Sequence, residues 1–565
     1  MKKNNLLMII IGVAVIFTAG CGNKKSKMTD DFKKFIAKHD SIVIPIYKEA
    51  NIAYFNASIS GDENDFKKSL DLQNKINTFY SNKEDFALLK KIKESKEVKD
   101  EILARQLEVM YNTYLGNQVD TAKLTAINKL QNVIEQKFSK FRADVNGKKI
   151  SDNDVETILK TSTNSKELET AWKGHKSIGK VVEQDIITIV KKRNEMAKEL
   201  GFKNYHEMSL KLSEQDPAEI EKLFDELDVL TRDVFVQLKS EMDDYFAKRY
   251  KIKKEELMPW HYQNRFFQEA PRIYTVDFDK FYKTQDVVKV TSNFFAGIGL
   301  AVEDIMKNSD LFEKPGKNQH AYCIDIDNEG DVRVLCNVRN NENWMGTMLH
   351  EFGHAVYDKN IDVKLPYVLR NPAHTFNTEA IAMFFGRLST NPQWMKENIG
   401  LTDADAIKIA DEGFKQLRLQ QIVFSRWSQV MYRFEKGLYE NPDQDLNALW
   451  WTLVEKYQMI KKPEGRNEPD WASKIHIATF PCYYHNYHLG ELLASQFTFN
   501  VAKNILKTED IRNLKLTGNK EIGKYFLEKV FVPGSKYNWN VMIEKATGEK
   551  LTPKYYAKQF VEVKL

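Results

Sequence analysis

The sequence predicts a mainly α fold, built as one large helical unit over residues 30–565. Three observations carry this. From Asp30 to about Tyr250 apolar residues recur every three or four positions, with few prolines inside. KELETAWKGHKSIGKVVEQDIITIVKKRNEMAKELG and AEIEKLFDELDVLTRDVFVQLKSEMDDYFAKRY are examples. The strand signal is confined to one place: AYCIDID and DVRVLCNV (321–327 and 331–338) alternate or run β-branched around Asn328-Glu329-Gly330, reading as one small β-hairpin. No Pro/Gly/Ser linker divides residues 30–565, and no fixed-period repeat argues for a solenoid.

The N-terminus stands apart from this unit. Lys2 and Lys3 give a basic start, and residues 6–17 are an apolar run too short for a comfortable membrane span. Thr18-Ala19-Gly20-Cys21 follows, small residues and then a cysteine. This resembles a bacterial lipoprotein signal, which implies removal of residues 1–20 and a lipid on Cys21. Thr18 departs from the leucine usual there; an ordinary secretory peptide and a true membrane helix are the alternatives. Residues 21–29, polar and lysine-rich from Asn23, suit a tether between lipid and domain. Gly22 after the cysteine fits the sorting rule for the outer membrane of a bacterial envelope.

Within the helical region, Gly201 takes the usual glycine role at a helix end. The chain returns to helices after the hairpin, with loops at 361–372 and 461–468. Composition is globular, at 42% hydrophobic and 29% charged. Net charge is +5, 84 basic against 79 acidic residues, with dispersed lysines, so no nucleic-acid partner is indicated. If Cys21 carries lipid, Cys323, Cys336 and Cys482 remain, and a Cys323–Cys336 bridge is open in an exported protein.

Eight of the eleven histidines lie after Trp260, and two of them form HEFGH, residues 350–354. Asn341 or Asn343 can cap a helix running through Asp358. On it His350 and His354 stand one turn apart on one face, where two imidazoles can share a tetrahedral zinc ion. Glu351 points round the helix toward the open coordination position, where it can take a proton from water. Leu349, Phe352 and Val356 form a separate apolar stripe, so the histidines are not needed as core. An HExxHxxGxxH arrangement is ruled out by Tyr357 and Asn360. The remaining third-ligand candidates are His374 and Glu379. Glu379 is favoured, because TEAIAMFFGRL must be buried and a carboxylate on it needs a cation; His374 reads as cleft lining. Asp358 either orients an imidazole or is a solvated helix-end acid.

HEFGH, with TEAIA placing a glutamate 25 residues after the second histidine, resembles the angiotensin-converting enzyme (peptidyl-dipeptidase A) family of zinc metallopeptidases. More distantly it is similar to the thimet oligopeptidase and oligoendopeptidase families. The likeness extends to WKGHKSIGKVVEQDIITIVKKRNEMAKELGF, to the HAYCIDID…DVRVLC hairpin and weakly over residues 30–560. It implies a two-lobed helical ellipsoid with a deep central cleft, residues 30–250 forming a helical lobe or lid and 251–565 bearing one Zn2+. It implies His350, His354 and Glu379 as ligands and Glu351 as general base. His320 and the backbone of Ala321 would bind the substrate main chain, by addition to the strand edge. In SKIHIATFPCYYHNYHLGE, His476 and Tyr487 would stabilise the oxyanion. Lys474, Tyr484 and Gln268 (from WHYQNRFFQ) would hold a C-terminal carboxylate, with Tyr483 competing for the place of Tyr484 because Cys482 is an extra residue. An oxyanion wants donors in a dry cleft, and a carboxylate wants a cation plus neutral donors.

Three departures matter. Met383 stands where the family often has aspartate. Asn486 replaces the arginine that serves chloride activation in animal members. Gln319 stands where the family has the first cysteine of its disulfide, so the Cys323–Cys336 bridge is not carried over. The expectation is a lipid-anchored zinc peptidase acting on oligopeptides and releasing C-terminal dipeptides. An oligoendopeptidase is the alternative within the class, and an inactive peptide-binding lipoprotein the alternative outside it.

Overall fold

The computed structural model describes residues 27–274 and 276–562. The signal segment and Cys21 lie outside the described residues. Residues 27–29, expected in the tether, already belong to the first helix, Lys27–Ser60. No described helix is long and apolar enough to cross a membrane.

The architecture is mainly helical, as the periodicity requires. Its longest helices begin at side-chain caps. Asp216 accepts from the N–H groups of Ala218 and Glu219 at the head of Pro217–Tyr250, with Pro217 in the first turn. Thr402 does the same for Asp403–Glu440, accepting from Asp405 N–H. Gly201 follows the helix Ile178–Glu199 at φ +89°, the left-handed conformation that suits glycine.

There are two hairpins among the described residues, not one. The expected one pairs Tyr322–Asp325 with Val332–Leu335, Cys323 opposite Val334. The second pairs Ala143–Val145 with Lys148–Ile150. Its turn is Asn146-Gly147, with φ of +55° and +82°, the pair of left-handed residues a tight two-residue hairpin demands. Cys323 and Cys336 are both free thiols.

Two cores organise the chain. Phe32, Phe35, Leu89, Ile92, Met110 and Tyr114 close a small core within the first four helices, Lys27–Ser60, Glu63–Tyr80, Lys83–Ser95 and Glu101–Gly116. Residues from Val119 onward join the main core, including Ile178, Val182 and Leu227. The separately packed cap therefore ends near residue 116 rather than 250, because the apolar faces of the helices after it turn toward the zinc-motif half. The cap rests on the hairpin of Tyr322–Asp325 and Val332–Leu335. Phe55 packs with Ile326 and Leu335. Asn51 donates to the carbonyl of Asp325 at 3.1 Å, and Lys48 pairs with Asp327 at 3.0 Å.

Candidate metal centre and substrate cavity

HEFGH lies on the helix Glu342–Lys359, and Asn341 is its cap, accepting from Trp344 N–H at 2.9 Å. The next helix, Thr375–Gly386, crosses it in close contact at Gly353. A methyl group there would lie 2.8 Å from Cα of Ala382, a backbone atom that cannot swing aside. This approach brings Glu379 over the histidines. Its Oε2 is 3.7 Å from Nε2 of His350 and 3.9 Å from Nε2 of His354. Two donors each about 2 Å from one zinc ion are separated by roughly 3.3–4 Å, so the spacing fits a shared ion with an open position. His350, His354 and Glu379 are the metal-competent group among the described residues, their ligand atoms all within 4.8 Å. Gly353→Ala should push the two helices apart, lower the melting temperature at a cost of about 1–3 kcal/mol, and lower bound zinc in the purified protein. An unchanged melting curve and metal content would remove this account of the packing.

Burial sets the protonation states. His350 is pushed down to about 4 and His354 well below the ordinary imidazole range, so both are neutral, the form that ligates. Glu379 is pushed up to about 7, first by burial and then by Glu491. Glu351 is pushed up to about 8 by burial and by the neighbouring Glu379, and it accepts a backbone hydrogen bond from Cys323. A dication would offset these unpaired carboxylates. Asp358 hydrogen-bonds neither imidazole; it is partly exposed near the helix end and lines the cavity that opens over HEFGH. Its hydrogen-bond partner among the described residues is the Cys323 thiol at 3.9 Å, and desolvation holds its carboxyl well above the usual range. The imidazole partner is Thr378, whose hydroxyl lies 2.7 Å from Nδ1 of His354. Thr378 immediately precedes Glu379, so one turn of helix supplies a ligand and the group that orients another.

The segment 474–491 carries the rest. Lys474 is 6% exposed, and its Nζ donates to Oε1 of Gln268 at 2.5 Å among the rings of Phe266, Trp427 and Tyr484. It has no carboxylate partner within ion-pair distance among the described residues, and burial, helped by Arg265, brings it down to about 7. Tyr484 accepts from Trp427 Nε1–H at 2.8 Å. Its ring touches His476 on one side and Tyr487 on the other, at 5.3 and 5.4 Å between centroids. Tyr483 and Tyr487 both feel the Glu379 charge, so they face the metal group while Tyr484 faces Lys474. His476 has a buried Nδ1 without a partner. Gln268, Lys474, Tyr484, Tyr487 and Glu379 thus follow one another from the lysine to the metal group.

Glu435, a residue the sequence reading did not single out, holds this segment from below. Only 2% exposed, it accepts from the N–H of Cys482, the inserted residue, which sits at φ +55°. Burial pushes its carboxyl up to about 8. Below pH 4.5 folded and unfolded chains both hold it protonated. As pH rises toward 8 the unfolded chain ionises first, and stability is lost. Glu435→Gln keeps the acceptor and escapes that loss. Melting curves of parent and variant should coincide near pH 4.5 and separate by on the order of 3–5 kcal/mol at pH 8. Curves that stay parallel would remove the assignment.

A cavity of about 820 Å³ opens over HEFGH. Its walls are the hairpin edge Ala321–Asp325 (321–325), the helix with His350, Glu351, His354 and Asp358, and cap residues such as Tyr47, Asn51 and Met110. The strand Tyr322–Asp325 pairs on one side only. Ala321 lines this cavity; His320 is not among the lining residues and is exposed, its N–H donating to Asn318. His374, expected as cleft lining, is instead the cap of Thr375–Gly386 and stacks near Phe376. The cap residues come from helices hundreds of positions away, and no motif announces them.

This is the site of a helical metallopeptidase fold, with ligands on two crossing helices under a helical cap. The family model described as Peptidase_M2, angiotensin-converting enzyme, matches residues 26–558, and the chain belongs to that family. Mouse angiotensin-converting enzyme is 23% identical over 567 residues, covering 92% of this chain and 42% of the mouse protein. The pig enzyme is 22% identical over 91% of this chain and 41% of its own length. Carboxypeptidase 1 of Bacillus subtilis is 26% identical over 40% of this chain and 49% of its own. The chain spans about two fifths of the length of the mammalian relatives.

Proposed function

We propose that the chain is a zinc-dependent peptidase that releases dipeptides from the free carboxyl end of oligopeptides. The observation that carries this is the His350–His354–Glu379 triangle beside the buried Glu351, at the floor of a cavity walled by a strand with one open edge. His350, His354 and Glu379 would hold the zinc, which when bound polarises a peptide carbonyl and makes water a nucleophile near neutral pH. Glu351 would take the proton of the attacking water and pass it to the leaving amine. Tyr487 and His476 would donate to the developing oxyanion. Membership in a family of this name supports the reading. The lysine pocket supports the carboxyl-end specificity: Lys474 is buried, donates to the side-chain amide of Gln268, and has no ion-pair partner among the described residues. Tyr484 would complete that clamp, with His320 and Ala321 on the main chain. The domain would be 30–565, tethered to the cell envelope by lipid on Cys21.

The test is mass spectrometry of an octapeptide free acid and its C-terminal amide, each incubated with the zinc-loaded full-length chain. Stepwise loss of dipeptides from the acid alone is expected. Internal cuts in both peptides would keep the peptidase and discard the clamp. Intact peptides across several sequences would overturn the reading.

A further inference from the structure

The charges of the cavity do not balance. Four carboxylates line it, Asp325, Glu351, Asp358 and Glu379, against one guanidinium, Arg370. Arg370 is engaged elsewhere, donating to the carbonyl of Leu365 at 2.8 Å and to Glu329 at 3.1 Å. Lys48, the nearest cap cation, is paired with Asp327. A zinc ion would answer Glu379 and Glu351. Asp325 and Asp358 remain. Neither has an ion-pair partner among the described residues; Asp325 accepts two backbone N–H groups of its own turn, and Asp358 has only the Cys323 thiol. Both are partly exposed in the cavity wall, where a carboxylate without a cation is disfavoured until a cationic ligand arrives.

Their place says where on a peptide that ligand sits. Asp358 is one helical turn beyond His354, and Asp325 ends the strand Tyr322–Asp325, which walls the same cavity. Glu379 lines the cavity, and its charge reaches Tyr487, whose ring packs on Tyr484 of the lysine pocket. A peptide with its carboxylate at Lys474 would send the residues before the cleaved bond into the cavity.

We propose that Asp358, with Asp325, forms a subsite that selects a cationic group on the amino-terminal side of the cleaved bond, supplied by an arginine or lysine side chain or by a free amino terminus. This rests on the peptidase reading for the direction of the peptide. The subsite uses Asp358 and Asp325, residues outside the metal group and outside the clamp.

The experiment separates the two readings by measuring binding, not turnover. Zinc-loaded full-length protein carrying Glu351→Gln is titrated calorimetrically with hexapeptide free acids. One pair differs as arginine against citrulline two residues before the expected cut, with the amino terminus acetylated. A second pair has neutral side chains, with the amino terminus free or acetylated. At least about tenfold tighter binding of one cationic member is expected, and the pair that shows it identifies the source. Asp358→Asn should bring that ratio to near one, and Asp358→Glu should retain most of it. Asp358→Asn should also melt at or above the parent temperature, since it removes a carboxyl that has no cation partner. Equal affinities within both pairs would overturn the proposal, as would a preference that survives Asp358→Asn. Cleavage by the unsubstituted protein is scored separately: a charge preference without cleavage sinks the peptidase reading alone, and cleavage without a preference sinks this one alone.

Discussion

Glu351→Gln should lower kcat about 10³-fold or more while the protein still carries one zinc per chain. The glutamine keeps the shape of the side chain and an oxygen to accept from Cys323 N–H, and it touches no ligand atom's role. What it loses is the ability to take and return a proton. Glu351 is 8% exposed and sits one residue from His350, so the chemistry has no solvent-borne substitute close at hand. The same burial pushes its carboxyl up to about 8, with Glu379 adding to the effect. A dication in the group works in the opposite direction and draws the carboxyl back toward the range where it is ionised and basic at neutral pH. The acid limb of the kcat profile of the zinc-loaded protein should therefore lie well below pH 8. Metal content by atomic absorption separates the outcomes. Turnover within tenfold of the parent, with zinc in place, would place the base elsewhere. Loss of zinc would make Glu351 a positioning residue.

The metal group was legible for a physical reason. A helix fixes the geometry of residues four apart, so HEFGH states its own arrangement. Glu379 was legible because TEAIAMFFGRL is too apolar to face water, which makes its single carboxylate an anomaly that a cation resolves. Thr378 was not, since a threonine on a buried helix looks like packing until the imidazole is placed against it. Asp358 was read either as orienting an imidazole or as a solvated helix-end acid; it orients no imidazole, and its hydrogen-bond partner comes from the hairpin and not from its own helix. The hairpin at 143–150 did carry a local signal: Asn146-Gly147 is the preferred turn pair, flanked by Val145 and Ile150. Three-residue strands are too short for alternation to rise above the helical pattern on either side. The extent of the cap was out of reach from sequence. Helices before and after residue 116 have the same periodicity, and only packing decides which core they join.

Lys474→Met should cut kcat/KM for free-acid peptides by about 10²-fold and leave their amides unchanged. The lysine is buried beside three aromatic rings and hydrogen-bonds only a neutral amide. Burial brings it down to about 7 because the interior penalises its charge. An arriving carboxylate would reverse that penalty, and a charge-assisted pair in such a site is worth roughly 2–5 kcal/mol by truncation. Methionine fills the same volume without the charge, so the fold should not suffer. The sign with pH follows. Binding of the carboxylate needs the protonated amine, which the free protein begins to lose above pH 7. KM for free acids should therefore rise through pH 7–9, with proton uptake on binding in calorimetry, while KM for amides stays level. Amides that are cleaved no worse than acids by the parent would show that Lys474 is a packing residue. A KM for free acids that stays flat with pH would show that its charge is never used.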